Sequence, residues 1–366
     1  MSFSLREPAV PTSLRPGMDI DDFSYDLPEE RIAQFPVTPR HAARLLVDRG
    51  PGRDPSHRHV ADLAELLEPG DLLVVNDTRV IPARLALRRA TGAAVEVLLL
   101  EERAGRVWEA LVRPSRRLRP GEVLRALDRD VDTACAAPLE VQLQTSLGEG
   151  RWELAFAGDV AVQTLLDVWG EVPLPPYINE PLADPERYQT IFARRPGSVA
   201  APTAGLHLSP LVLAALGDRG VHLATVELVV GLGTFRPITV SRLEDHVMHQ
   251  ERYAIPAPTI DALSAARAEG RPVVAVGTTV VRTLESWAAS GQSAGSTGLF
   301  IRRPYRFSVV DRLLTNFHVP RSSLLVMIDA LVGPRWRELY QVALSEDYRF
   351  LSFGDAMLLD RNNDLR

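Results

Sequence analysis

The chain has 366 residues, long enough for two domains with sizeable cores. Apolar residues make up 46% and charged residues 24%, which is the composition of a globular protein. No apolar run reaches the roughly 18–20 residues that a membrane span requires. The net charge of −6 argues against non-specific binding to nucleic acid, although it allows a local basic patch.

Two residue types are scarce enough to exclude whole classes of chemistry. Cys135 is the single cysteine, which excludes an intrachain disulfide and a multi-cysteine zinc site and favours a cytoplasmic protein. Every basic residue is arginine, so a Schiff-base lysine and a Walker A lysine are both impossible. The arginines cluster in "RPSRRLRPG", "ARRPG" and "IRRPYRF".

The N-terminal half of the chain predicts a loose start followed by a β-rich block. Residues 1–20 have no apolar segment typical of a signal peptide, so we expect an extension that precedes the fold. From 70 to 158, short runs such as "DLLVVN", "AVEVLLLE" and "RWELAFA" recur about every ten residues between Gly, Pro or charged turns. This spacing predicts a small antiparallel β-barrel or sandwich.

After residue 158 the pattern changes to alternating strands and helices. "SPLVLAALGDRG" predicts a helix with Ser209 as N-cap, and "TIDALSAARAEG" predicts another with Thr259 as N-cap. "HLATVELVVG" and "RPVVAVG" are typical of strands. The expected architecture is an α/β domain formed by 21–69 and 159–366, with the β-rich block inserted between its two parts.

The stretch "DHVMHQE" at 245–251 holds two histidines and two carboxylates. Ser241 and Glu244 form a capping-box pattern, which predicts a short helix with His246 and His249 on one face. The spacing leaves three interpretations open: a metal site, acid–base chemistry, or a solvated face that has no function.

Other histidines lie beside helix starts. "VAAPTAGLHLSP" places His207 among small residues just before a helix, where anions bind and backbone can approach a ligand; the alternative is a structural histidine in a tight connection. "TNFHVPRSS" places Asn316 and His318 before another helix. Four of the eight histidines lie in such stretches, which favours acid–base chemistry.

Two glycine-containing stretches follow predicted strands. "VVGLGTF" lacks the third glycine of a dinucleotide-binding motif and no clear helix follows it. In "VVAVGTTVVRTLES" a buried strand ends at Gly277, and Thr278 or Thr279 is expected to cap the next helix. Ligands bind at the carboxyl ends of strands in α/β sheets, so this turn is a candidate binding site.

Taken together, these stretches resemble one family over nearly the whole chain: the S-adenosylmethionine:tRNA ribosyltransferase-isomerases of queuosine biosynthesis. The motifs that carry the resemblance are long, ordered and specific to that family. They include "DDFSYDLPEERIAQFP", "PGDLLVVNDTRVIPARL", "ERYQTIFARRPGSVAAPTAGLHL", "GLGTFRPI", "DHVMHQE", "AVGTTVVRTLES", "VVDRLLTNFHVPRSSLL" and "YRFLSFGDAMLL".

The resemblance implies an α/β main domain with an inserted small antiparallel β-barrel. It also implies that the ribosyl moiety of S-adenosylmethionine is transferred to 7-aminomethyl-7-deazaguanine in the tRNA anticodon. There it rearranges to an epoxycyclopentanediol, with loss of adenine and methionine. S-adenosylmethionine is then a substrate, and no cofactor or metal is expected. The alternatives are a divergent paralogue acting on another acceptor, such as a free deazapurine, and a non-catalytic RNA-binding relative.

Such a reaction needs a base for the carbon beside the sulfonium and an acid for the departing adenine, roles that suit histidine or a carboxylate. Backbone donors in "GLGTF" and "VGTT" would hold the methionine carboxylate or ribose hydroxyls, and arginines would meet anions. We expect His246 within reach of His207 or of the "GLGTF" loop, and a monomer. The catalytic candidates are His207, Asp245, His246, His249, Glu251 and His318. The substrate-binding candidates are Arg79, Pro202, Thr203, Gly231, Gly233, Thr234, Thr278, Thr279, Arg282, Asn316 and Arg321. The expected tRNA-binding face consists of Arg116, Arg117, Arg119, Arg194 and Arg195.

Some positions depart from the usual pattern of the family. They bear on the acceptor and the activity rather than on the fold. These positions are Leu208 in "GLHL", the "TGAA" turn at 91–94, Val229 and Leu232 in "LVVGLGTF", Val280 in "GTTVVR", Arg303–Pro304 in "RPY", and Asp329 in "IDA".

Overall fold

The computed structural model describes residues 18–126, 138–231 and 238–365. Cys135, Leu232, Gly233, Thr234 and most of the predicted N-terminal extension lie outside these ranges. None of the described helices is both long and apolar enough to cross a membrane. The helices are α1 (Leu63–Leu66), α2 (Val162–Trp169), α3 (Pro210–Asp218), α4 (Ala257–Ala268), α5 (Thr278–Ser290), α6 (Ser323–Val332) and α7 (Trp336–Ser345). The strands are β1 (Arg44–Asp48), β2 (Ser56–His59), β3 (Leu72–Asn76), β4 (Thr78–Val80), β5 (Arg84–Arg88), β6 (Ala94–Ala104), β7 (Val107–Arg113), β8 (Val123–Ala126), β9 (Glu140–Gly148), β10 (Arg151–Phe156), β11 (Gly170–Glu171), β12 (Arg195–Ser198), β13 (His222–Leu228), β14 (Glu251–Ala254), β15 (Val273–Val276), β16 (Ala294–Thr297), β17 (Arg312–Asn316) and β18 (Ala356–Asp360).

A mixed sheet of nine strands forms the main layer, in the order β16-β14-β13-β3-β15-β17-β18-β1-β2. Its centre, β13-β3-β15-β17, is parallel. Every residue of β3 and β15 is buried, because helices cover both faces of a parallel sheet and leave no solvent side. The four parallel strands therefore end along one edge, which is where the separated motifs meet.

A closed antiparallel barrel forms the second layer. Six strands pair in the ring β5-β6-β7-β10-β9-β8, and pairing of β8 with β5 closes it. The strand β11 pairs with the other end of β5. Alternating apolar residues fill the interior, among them Leu85, Val97, Leu143 and Trp152. The expected fold class, an α/β domain with a small inserted antiparallel barrel, is confirmed.

Several local predictions need correction. The strand "DLLVVN", predicted at the start of the barrel block, is β3 in the middle of the large sheet. Its unbroken apolar run is typical of a parallel strand that is buried on both faces. Helix α4 begins at Ala257 with Pro256 as N-cap, and Thr259 instead donates its hydroxyl to the Thr225 carbonyl at 2.7 Å.

Two other predicted caps have opposite outcomes. The N-cap of α5 is Gly277, and no side chain caps this helix, so neither Thr278 nor Thr279 has the predicted role. By contrast, Ser209 caps α3 as predicted and accepts from the Val212 amide at 3.3 Å.

Candidate active site

A cleft opens at the carboxyl ends of the central parallel strands, where α/β folds bind ligands. It lies between the segment after β12, the turn from β15 into α5, and the end of β17. The residues that line it are Tyr177, Ala201, Pro202, Thr203, Ala204, Val230, Gly277, Thr278, Thr279, Thr315, Asn316, Phe317, His318, Val319, Leu324, Leu351 and Ser352.

A side-chain network holds one wall of this cleft. Asn316, at the end of β17, donates from Nδ2 to His207 Nε2 at 2.9 Å and to the Leu351 carbonyl at 3.1 Å. Thr203 Oγ1 donates to Asn316 Oδ1 at 3.1 Å. Burial lowers the pKa of His207 to about 4, because the protonated ring would lose its hydration. His207 is thus a neutral acceptor that orients Asn316, and it does not line the cleft.

His318 does line the cleft and is also neutral. Its ring is 8% exposed, and Nε2 hydrogen-bonds with Thr315 Oγ1 at 3.0 Å. Burial lowers the pKa of His318 to about 3. Both backbone polar groups of His318 are hydrogen-bonded. Its amide donates to the Tyr340 hydroxyl at 2.9 Å, and its carbonyl accepts from the Tyr25 hydroxyl. His318 is therefore a rigid polar group in an otherwise largely apolar wall.

The neighbouring part of the cleft contains a buried ion pair. It shares Thr278, Thr279 and Leu324 with the first part and continues to 245–251. Glu251 Oε2 pairs with Arg282 Nη1, and both side chains are 5% exposed. Arg282 also donates to the carbonyls of Thr297 and Leu299, each at 3.2 Å.

The second carboxylate oxygen of Glu251 has a backbone donor, and Arg282 keeps its positive charge. Glu251 Oε1 accepts from the Gly231 amide at 3.3 Å. Burial lowers the pKa of Arg282 to about 10, which leaves the guanidinium charged at neutral pH. The pair thus joins α5, β14 and the start of the "GLGTF" loop in one network.

The stretch "DHVMHQE" is not a helix, contrary to the capping-box prediction. A single 3-10 turn, Leu243–Asp245, ends at its first residue, with Arg242 rather than Ser241 as N-cap. The chain then runs irregularly into β14. His246 and His249 nevertheless line the cleft together with Glu251. Glu251 contacts the start of the "GLGTF" loop through the Gly231 amide, whereas His207 lies behind Asn316. The predicted reach of His246 to that loop stays a prediction.

His246 and His249 differ in exposure. The His246 ring is half-buried and packs edge-on against Phe300, with centroids 5.1 Å apart, whereas His249 is exposed. Burial, aided by His249, lowers the pKa of His246, so its ring is neutral at pH 7. Asp245 is exposed at the rim. Within the described ranges, no group of three or more His, Cys, Asp or Glu residues is placed to hold a metal ion.

The inserted barrel contributes residues that the sequence analysis missed. Glu149, at the turn between β9 and β10, lines the cleft beside His246 and His249 and has φ +53°. A groove continues from there between barrel and sheet, where Arg103, Arg151 and the buried Glu109 face Gly231 and Arg252. Sequence spacing gave no sign of this, because the barrel strands approach the sheet only through tertiary packing. Tyr177 and Ser352, hydrogen-bonded to each other at 2.7 Å, are further missed lining residues.

The remaining substrate-binding candidates differ in whether they line the cleft. Pro202, Thr203, Thr278, Thr279 and Asn316 line the first part of the cleft, Arg282 its continuation, and Gly231 the barrel groove. Gly233 and Thr234 lie outside the described residues. Two arginines do not line these cavities and form ion pairs on the surface: Arg79 with Glu186, and Arg321 with Asp21 at 3.2 Å.

The expected tRNA-binding arginines are on the surface. Arg116, Arg117 and Arg119 are exposed on the barrel, in the turn after β7. Arg194 is exposed next to β12, and Arg195 is half-buried and pairs with Glu227 at 3.1 Å.

Two of the departures from the family pattern contact each other. Arg303 Nε and Nη2 donate to the two carboxylate oxygens of Asp329 at 2.5 and 3.1 Å. Asp329 is fully buried in α6, and Arg303 is about one-third exposed. This pair fastens the segment after Phe300 and Ile301, which line the cleft, onto α6.

The fold and the cleft define an α/β protein whose inserted barrel contributes residues to a cleft at the ends of its parallel strands. A family model described as "Queuosine biosynthesis protein" matches residues 20–359, and the chain belongs to that family, as its motifs predicted.

Several relatives are similar to this chain over almost their whole length. The S-adenosylmethionine:tRNA ribosyltransferase-isomerase of Rubrobacter xylanophilus is 51% identical, with 93% of this chain and 98% of the relative covered. That of Thermus thermophilus is 50% identical, with 93% and 99% covered. The crystal structure of S-adenosylmethionine tRNA ribosyltransferase from Thermotoga maritima is similar, with 36% identity, a TM-score of 0.53, and 92% and 99% covered.

Proposed function

We propose that this enzyme transfers the ribosyl moiety of S-adenosylmethionine to 7-aminomethyl-7-deazaguanine in the tRNA anticodon and isomerises it, releasing adenine and methionine. Relatives about half identical over nearly their full length carry this activity in their names. The observation that carries the proposal within the chain is convergence: the stretches around residues 203, 251, 278 and 316 are far apart in sequence and line one cleft.

The cleft offers a choice of general base, and we propose His246. A base must be unprotonated at neutral pH and must reach the substrate. His246 lines the cleft, and the lowered pKa keeps its ring neutral. His318, with a pKa near 3, is too weak a base and suits hydrogen bonding to a ligand. His207 has its Nε2 occupied by Asn316, so its proposed role is to position that side chain.

The proposed reaction begins with a proton transfer to His246. His246 removes a proton from the carbon beside the sulfonium, whose positive charge acidifies it. The electron pair that remains on that carbon drives opening of the ribose ring and departure of adenine, which must take up a proton. His249, exposed at the cleft rim beside His246, is the proposed acid. Ring opening leaves a vinylsulfonium and an aldehyde on the ribosyl group. The neutral amine of the deazaguanine adds to the vinyl carbon and loses a proton, and the carbanion formed beside the sulfur closes the five-membered ring on the aldehyde carbon. The resulting alkoxide then displaces methionine from the neighbouring carbon and forms the epoxide. S-adenosylmethionine is consumed, so the proposed reaction requires no further cofactor.

We propose the exposed arginines of the barrel as part of the tRNA-binding face. Arg116, Arg117 and Arg119 lie within four consecutive residues, so a phosphate backbone could meet all three. Each phosphate contact releases counterions and adds close to one unit to the salt slope of binding. Replacing the three with alanine should lower tRNA affinity at low salt and flatten the slope. Unchanged affinity and slope would exclude this face. Action on tRNA also supports a cytoplasmic location.

The experiment that tests the function is single-turnover release of adenine. The protein is incubated with S-adenosylmethionine and tRNA that carries the deazaguanine precursor, and adenine is quantified. Unmodified tRNA and the free deazapurine serve as parallel acceptors. Release with precursor tRNA alone is expected. Release with the free base alone would favour the paralogue, and no release would favour a non-catalytic RNA-binding relative.

The proposed base is tested in the same assay. His246→Ala should slow adenine release by about 10²–10⁴-fold. His222→Ala is the matched control, since His222 is an exposed histidine of β13 that does not line the cleft. Equal rates for both variants would remove His246 from the chemistry.

A further inference from the structure

The N-terminus of α5 opens into the cleft without a cap. The helix has 13 residues, so its dipole places partial positive charge at its first turn. Its N-cap is Gly277, with φ +93°, and no side chain accepts from the first-turn amides. Glycine permits this backbone conformation without strain, and Gly277, Thr278 and Thr279 all line the cleft. By itself, such a helix end would remain an unassigned feature.

The start of α5 also contains a buried hydroxyl without a partner among the described residues. The Thr279 hydroxyl has no hydrogen-bond partner in the described part of the chain, although the residue is only 8% exposed. Thr279 lines both parts of the cleft. Burying a hydroxyl without a partner is costly, so an unpartnered buried hydroxyl requires an explanation, and a bound ligand would supply one here. One turn later, Thr283 satisfies its hydroxyl by donating to the Thr279 carbonyl at 3.0 Å, whereas Thr279, the second residue of α5, has no helix carbonyl four residues before it.

The cleft beside the first turn of α5 fits a small anion that is attached to an apolar chain. The cavity beside the first turn of α5 has a volume of about 50 Å³, so the cleft is narrow at this point. Apolar Ala204, Val230 and Leu324 form the walls. The nearby Arg282 is already neutralised by Glu251, which leaves amide and hydroxyl donors as the anion-binding groups.

We propose that the first turn of α5, with the Thr279 hydroxyl, binds the carboxylate of the methionine moiety of S-adenosylmethionine. The inference rests on the proposed function and adds the orientation of the substrate. The thioether chain lies along the apolar walls, and the sulfonium and ribose point toward His246 and Glu251. A tRNA phosphate has similar anion chemistry, but the narrow floor of the cleft favours a carboxylate on a flexible chain.

The test compares two ligands that differ only in the carboxylate. Binding of S-adenosylmethionine and of decarboxylated S-adenosylmethionine is measured by calorimetry without tRNA, for wild type and for Thr279→Val. The variant removes one hydrogen bond to a charged group, so its affinity for S-adenosylmethionine should fall about 10- to 100-fold. Its affinity for the decarboxylated ligand should change less than about twofold. Thr283→Val, the same replacement one turn later, should leave the ratio of the two affinities at the wild-type value.

Several outcomes would overturn the inference. They are an equal loss for both ligands, an unchanged affinity for S-adenosylmethionine, and weaker tRNA binding by Thr279→Val with an unchanged ligand ratio, which would identify a phosphate instead. Thr279→Ser keeps the hydroxyl and should retain the wild-type ratio; if it loses the ratio, the hydroxyl is not the determinant. If Thr279→Val does not fold, Thr279→Ala provides the comparison. Failure of wild type to bind S-adenosylmethionine would instead refute the proposed function together with the inference.

Discussion

Arg282→Met is the substitution whose effect on stability the structure defines best. The guanidinium is 5% exposed and serves three acceptors: the Glu251 carboxylate and the carbonyls of Thr297 and Leu299. Methionine fills a similar volume but donates to none of them. It therefore leaves the Glu251 carboxylate buried without its cation, and two carbonyls without a donor.

The loss in the free energy of unfolding depends on which groups remain buried without a partner. Removing one partner of a buried ion pair typically costs about 3–5 kcal/mol, most of it from the uncompensated charge. Glu251→Gln should cost less, about 1.5–3 kcal/mol, because its oxygen still accepts from the Gly231 amide and Arg282 keeps both carbonyls. In the double variant neither charge remains. Its loss should therefore be smaller than the sum of the single losses by about 2 kcal/mol.

Equilibrium denaturation in urea at pH 7 gives the free energy of unfolding for wild type, both single variants and the double variant. Arg242→Met is the control, because Arg242 forms an exposed pair with Glu244 and should cost under about 1 kcal/mol. A loss below about 1 kcal/mol for Arg282→Met, or strict additivity in the double variant, would show that the pair is solvated and that the argument from burial fails.

The remaining predictions concern pH, the second ion pair and the start of α5. His207 and His318 have folded pKa values of about 4 and 3 against 6.5 unfolded, so the unfolded state binds more protons below pH 6.5. Stability should fall with decreasing pH between about 6 and 4.5, by about 1.4 kcal/mol per pH unit for each histidine, and His318→Asn should reduce this slope in acid denaturation curves. Arg303→Ala should cost about 2 kcal/mol in urea unfolding, between the values for surface and buried pairs, and Asp329→Asn in the same background should recover part of it. Gly277→Ala should cost about 1–3 kcal/mol through backbone strain, because φ +93° and ψ 152° are essentially restricted to glycine and an added Cβ would make only ordinary van der Waals contacts; an unchanged melting temperature would contradict this.

The fold could be predicted from sequence because its two strand patterns differ physically. Barrel strands such as β10 alternate buried and less buried residues, whereas β15 is buried throughout, and each pattern is visible in the letters. The boundary strand β3 was misassigned because proximity in sequence suggested barrel pairing. Its partners β13 and β15 lie more than a hundred residues away, and no local pattern specifies them.

The candidate site could be predicted as a set of motifs but not as a geometry. The end of a predicted strand identified Gly277–Thr279, because ligands bind at that edge of a parallel sheet, and Asn316 was identified by its position before a predicted helix. The roles of the histidines could not be ranked, since pKa depends on burial that only tertiary structure provides. Glu149 was missed for the same reason: its turn between two glycines looks like any hairpin, and only the packing of the barrel brings it to His246.

The structure also divides the departures from the family pattern into those that touch the cleft and those that do not. Val280 and Leu208 are fully buried in apolar clusters, where they fill space. Arg303 and Asp329 form an ion pair with each other, so the presence of one charge accounts for the presence of the other. Val229 alone among the described departures lines a cavity, the groove between barrel and sheet that continues to Glu251 and His249. A change of acceptor would therefore act through this groove, where the tRNA base must approach if S-adenosylmethionine occupies the cleft beside α5. The methionine end of the site contains no described departure that lines it, which is the arrangement expected when the donor is kept and any divergence affects the acceptor.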